Sequence, residues 1–107
     1  MEDIKEKLTV IKDAILNIVP AKQIYLFGSY AYGTPHKNSD IDIYAVIPDN
    51  FRENIPLSMG KIAGYLGDRG IFFIDLFLVK ENRFLYYKEN SSFEETICSK
   101  GILLYES

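Results

Sequence analysis

Ile4, Leu8, Ile11, Ile15 and Val19 recur at helical spacing, with Lys5, Lys12, Asp13 and Asn17 on the opposite side. That spacing predicts an amphipathic first helix ended by Pro20. Residues 23–27 are short, aromatic and β-branched, and predict a strand that stops at Gly28. Residues 29–33 suit a short helix, and 34–39 form a turn-rich loop. Residues 40–47 alternate at first and then become apolar, which suits a second strand. Pro56 lies near the start of another helix, with Leu57, Ile62, Ala63 and Leu66 assigned to one face. A turn at Asp68-Arg69-Gly70 leads into residues 71–79, the longest apolar run, which predicts a central strand. Residues 80–89 read as helical. A last helix begins near Ser91 or Ser92, each three residues before a glutamate in a capping-box pattern, and Gly101 ends it. Residues 102–105 add a short edge strand. The alternation predicts an α/β (α+β) fold, a mixed β-sheet with helices packed on it.

A chain of 107 residues fits one domain spanning 1–107, and a hydrophobic fraction of 48% is enough for a core. The single cysteine, Cys98, excludes an internal disulfide and reads as a small buried hydrophobe; no Cys/His set suits structural zinc. Both observations point to a reducing cytoplasm. No apolar run approaches the ~20 residues of a membrane helix, so no membrane association is expected. The net charge of −3 makes a nucleic-acid partner unlikely, because such partners are usually held by a basic surface. Any phosphate handled here therefore calls for a cation from outside.

Carboxylates supply the place for one. Side chains two apart on a strand share a face, so Asp40 and Asp42 project together while Ile41 and Ile43 face the core. Two adjacent carboxylates repel unless a cation compensates, and Mg²⁺ is commonly held by one or two carboxylates plus substrate phosphates. Taken alone, the pair fits equally well a turn residue followed by a solvated strand edge. Asp75 shifts the balance. It is the only polar residue between Ile71 and Val79, where an unpaired charge would be costly. A strand end reaching solvent would explain it, as would a metal shared with Asp40 and Asp42; the latter is the reading preferred here. Gly28 and Ser29 close a strand ahead of a short helix, where backbone amides and a hydroxyl could meet a phosphate. An ordinary N-cap turn fits that pair as well.

The combination is more specific than its parts. Phe27-Gly28-Ser29-Tyr30-Ala31-Tyr32-Gly33, then Ser39-Asp40-Ile41-Asp42, then Asp75 in an apolar strand, resembles the DNA polymerase β-like nucleotidyltransferase superfamily. Within it the chain is similar to the minimal nucleotidyltransferase (MNT) family, over nearly its whole length. The resemblance implies that Gly28 and Ser29, with Ser39, bind the phosphates of a nucleoside triphosphate, commonly ATP. It implies that Asp40, Asp42 and Asp75 are catalytic and ligate two Mg²⁺ ions, with Asp75 helping to deprotonate the attacking hydroxyl. The implied reaction moves AMP onto a hydroxyl.

Many relatives carry an arginine in the Gly-Ser helix, where this chain has Tyr30 and Tyr32. Lys37 could replace its charge; the loop residue His36 reads as a solvated bystander. No acceptor-positioning domain is visible, so a second copy in a homo-oligomer or a separate protein must provide that platform. Minimal relatives are often paired with a HEPN-type partner, and some act as antitoxins that adenylylate it. The resemblance thus implies a protein-modifying antitoxin. The alternatives are a non-catalytic partner-binding antitoxin and a small-molecule, aminoglycoside-type nucleotidyltransferase. Phe84, Tyr86, Tyr87 and Phe93 could dock a partner or line the core.

Overall fold

A computed structural model describes residues 4–35 and 39–107. Helix α1 (Ile4–Ile18) leads to strand β1 (Gln23–Phe27), the short helix α2 (Ser29–Tyr32), strand β2 (Ile41–Ile47) and helix α3 (Ile55–Gly67). Strand β3 (Ile74–Lys80), helices α4 (Glu81–Asn90) and α5 (Ser92–Lys100), and strand β4 (Ile102–Glu106) complete the chain. The sheet runs β3-β2-β1-β4. Strand β1 lies antiparallel to both β2 and β4, with an irregularity between Ile24 and Tyr25. The β2–β3 pair is parallel, and α3 forms the crossover between them. Among the described residues no helix is long and apolar enough to cross a membrane.

Strand alternation divides the core in two. Ile24, Leu26, Ile41, Ile43, Ala45, Ile47 and Leu78 pack with Ile11, Ala14 and Ile15 of α1 and with Ile62 and Leu66 of α3. On the opposite face Phe27, Tyr44 and Val46 meet Phe84 of α4 and Ile97 of α5. Being interior and covered on both sides, β2 is apolar on both faces beyond Asp42.

Several expectations from the sequence change here. Strand β3 starts at Ile74, not Ile71, and is an edge strand rather than a central one. Phe73 takes φ +62 and Gly70 φ +75, so the chain is still turning where the apolar run begins. In α3 the buried positions are Ser58, Ile62 and Leu66, four residues apart; Leu57 is 60% exposed and Ala63 also faces solvent. Cys98 is exposed, because α5 buries Glu94 and Ile97 instead. Ser91 caps α5 by accepting from the Phe93 N–H, but Glu94 does not serve the capping box. It turns into the core, where its carboxylate accepts a hydrogen bond of 3.0 Å from the Tyr44 hydroxyl.

Candidate active site

The site is built where β1 ends and β2 and β3 begin. Antiparallel pairing sets Phe27 opposite Asp42, so the turn that follows Phe27 lies against the first aspartates of β2. Parallel pairing sets Asp42 opposite Asp75. Alternation then puts both carboxylates on the face that carries Tyr44 and Phe77, with Asp40 at the entry to β2.

Gly28 has φ +75 and ψ −161, a region open almost only to glycine. A Cβ at this position would overlap the Asp42 carboxylate, so turn and carboxylate occupy adjoining space. The Gly28 carbonyl accepts from the N–H groups of Ala31 and Tyr32, each at 3.0 Å, which winds α2. Helix geometry leaves the amides at the start of α2, those of Ser29 and Tyr30, without intrahelical partners. Ser29 opens α2 and Ser39 directly precedes Asp40, and both are half-buried.

Asp42 is held above the ordinary carboxylate range, first by partial burial and then by the negative charges of Asp75 and Asp40. Asp42 therefore feels both of the other aspartates. Asp75 is exposed, contrary to the burial expected from its apolar run, because β3 is an edge strand that opens to solvent. Among the described residues no three His, Cys, Asp or Glu side chains stand as a ready-made metal-binding group. Oxygen-only donors at one sheet end suit a hard divalent ion such as Mg²⁺, so the residues present fit that group.

Beside the aspartates lies an aromatic floor that the sequence did not reveal. The rings of Phe27, Phe77 and Phe93 stand 5.4–5.8 Å apart. Phe77 is two positions beyond Asp75, and Phe93 stays 41% exposed. Alternation from Asp75 points to Phe77, but only tertiary folding of α5 brings Phe93 there. Of the aromatics in α4, Phe84 is core whereas Tyr86 is exposed. Tyr30 packs on the core and Tyr32 is exposed, so α2 offers no side-chain cation. Lys37 and His36 lie outside the described residues. Arg69 is engaged elsewhere, 3.5 Å over the Tyr65 ring.

The model of the nucleotidyltransferase domain matches residues 8–102, which include Gly28, Ser29 and all three aspartates. The chain belongs to the nucleotidyltransferase domain family. Within this family it is similar to the protein adenylyltransferase MntA of Shewanella oneidensis, with 56% identity over 39 residues. That match spans 36% of this chain and about a quarter (27%) of the relative's length. Solved structures share the nucleotidyltransferase fold. A toxin–antitoxin structure with AMP-PNP aligns at TM-score 0.61 and 25% identity, over 94% of this chain and 73% of the other. A candidate nucleotidyltransferase of Sulfolobus solfataricus aligns at TM-score 0.60 and 22% identity, over 94% and 78%.

Proposed function

We propose that this domain is a Mg²⁺-dependent nucleotidyltransferase that moves AMP from ATP onto a hydroxyl of a partner protein. We further propose that it serves as the antitoxin of a pair with a HEPN-type partner. The observation that carries the reading is the strand register: it places the Gly28 turn against Asp42, and Asp42 beside Asp75. Family membership supports the kind of reaction. Similarity to a protein adenylyltransferase and to a toxin–antitoxin structure with AMP-PNP supports the substrates.

In this reading Gly28 and Ser29 orient the β- and γ-phosphates, and Ser39 helps to bind the triphosphate. Asp40, Asp42 and Asp75 would hold two Mg²⁺ ions, which would neutralise the triphosphate and favour ionisation of the acceptor hydroxyl. The acceptor oxygen bonds to the α-phosphorus, and the bond from that phosphorus to the α–β bridging oxygen breaks. Pyrophosphate leaves with the bonding electrons. The acceptor proton passes to Asp75 and on to solvent.

The test uses α-labelled ATP and Mg²⁺ in a host cell extract, comparing wild type with Asp42→Asn checked for folding by circular dichroism. A labelled protein band with wild type alone is expected; equal labelling by the variant removes the three-aspartate mechanism. One observation favours a second reading: α2 carries Tyr30 and Tyr32 and no basic residue. A non-catalytic antitoxin that binds by occlusion would protect cells equally with Asp40→Asn and Asp42→Asn.

A further inference from the structure

Two cavities flank strand β3, one on each side of the sheet. The first, of about 270 Å³, lies between Met59, Ile62, Ala63 and Leu66 of α3 and Ile74 and Leu76 of β3, all apolar. The second, of about 390 Å³, is lined by Val79 and Lys80 of β3, Arg83 and Tyr87 of α4 and the buried Glu94 of α5. It also touches Leu78 and Ile55, which belong to the α3 side of the sheet. A cavity that reaches both faces passes round the outer side of β3, because β2 fills the inner side. Burial agrees: every residue of β2 but Asp42 is buried, whereas β3 buries only Leu78. Strand β3 is seven residues long and pairs with β2 in unbroken register, and among the described residues no strand lies against its outer backbone groups. Such a row of N–H and C=O groups is a template for another strand. The opposite edge, β4, is shorter and pairs irregularly with β1, which discourages addition there.

The linings say what such a strand must carry. Among the described residues no carboxylate pairs with Lys80 or Arg83; Arg83 donates to the Tyr87 hydroxyl at 3.3 Å. The carboxylates around them are already engaged. Glu94 accepts from Tyr44, Glu81 pairs with Lys22 at 3.1 Å, and Asp49 accepts from the Asn82 N–H. Arg83 is exposed and Lys80 half-buried, so both cations stand nearer the mouth of the cavity than buried Glu94. A strand added to β3 sends alternate side chains to the two faces. We propose that the outer edge of β3 docks an extended, acidic segment of a partner protein, with an apolar side chain in the α3 cavity and a carboxylate on Lys80 and Arg83. The two side chains lie an odd number of positions apart. Main-chain hydrogen bonds supply affinity and the two cavities supply selectivity, while Lys80 repels basic strands. The docking site does not rest on the transfer reaction proposed above.

The probes are two capped heptapeptides, one alternating valine with glutamate and one alternating valine with lysine. Binding is followed by backbone amide shifts in two-dimensional NMR, and self-association by sedimentation. The expected result is saturable binding of the glutamate peptide, at least tenfold tighter than the lysine peptide, with the shifts centred on residues 76–80. The double variant Lys80→Glu/Arg83→Glu should reverse the preference. Ala63→Phe, at an exposed helix position, should fill the apolar cavity and weaken binding at least tenfold with the melting temperature kept. No saturable binding, equal affinity for the two peptides, or shifts centred on β4 overturns the docking site. So does a dimer that protects residues 76–80 without peptide, because a second copy of the chain would then cover the edge.

Discussion

Replacing Gly28 with alanine tests the geometry on which the site depends. The dihedrals φ +75 and ψ −161 lie in a region that other residues rarely enter, and holding one there costs of order 1–3 kcal/mol. The new Cβ would also lie 2.9 Å from Asp42 Cγ and closer still to its carboxylate oxygen. That side chain can swing aside, so the second effect appears mainly as a displaced ligand. For a domain near 100 residues each kcal/mol lowers Tm by about 4–8 °C, giving an expected fall of about 4–24 °C for Gly28→Ala. The assay is thermal unfolding by circular dichroism with and without Mg²⁺ and ATP. The same measurement on Asp42→Ala and on the double variant forms a cycle. The double variant should lose less stability than the two single effects summed, because the overlapping carboxylate is gone. A Tm within 1 °C of wild type, with an intact response to Mg²⁺-ATP, would refute both the strain and the close approach.

The raised pKa of Asp42 carries a sign. Between the unfolded and the higher folded value the folded state binds more protons, so this group's contribution falls as pH rises and its full penalty is present at neutral pH. Asp42→Asn should therefore raise Tm at pH 7 and abolish this group's loss of stability with rising pH, yet lose the Tm increase that Mg²⁺-ATP gives wild type. Tyr44→Phe removes the donor to buried Glu94 and should cost about 1–3 kcal/mol by denaturant unfolding, whereas Glu94→Gln should cost less. Burial and Glu94 push the Tyr44 hydroxyl far above the ordinary tyrosine range, so it should stay neutral through that range in an alkaline ultraviolet titration, and Tyr44→Phe should leave the titrated absorbance there unchanged. A Cβ at Gly101 would collide with the Ile97 carbonyl and lie 3.0 Å from the Leu26 carbonyl. Gly101→Ala should thus destabilise by about 1–3 kcal/mol, measured the same way.

Most elements could be read from local pattern, because period and punctuation are local properties. Ile41 and Ile43 against Asp42 foretold the β2 faces, and Gly28 foretold the close of β1. The place of β3 in the sheet could not be read, because an apolar run does not reveal which of its residues will face water. The run from Ile71 looked central because Phe72 and Phe73 counted as core, whereas both face outward. For the same reason Asp75 looked buried. Glu94 matched a capping box, but a buried hydroxyl at Tyr44, distant in sequence, claimed it. Leu57 looked like core by residue type alone, while the helix phase set by Ile62 and Leu66 buries Ser58 instead. The sequence marked three aspartates as candidates, whereas their common end of the sheet and the Phe27-Phe77-Phe93 floor arise only when β1, β3 and α5 come together.

The central claim is nucleotidyl transfer, and comparing two labels tests it most directly. Wild-type protein is incubated with Mg²⁺ and a host extract, once with ATP labelled at the α-phosphate and once with ATP labelled at the γ-phosphate. The account predicts a protein band labelled from the α position alone, with the γ label recovered as pyrophosphate. A band labelled from the γ position would mean phosphoryl transfer, and would contradict it.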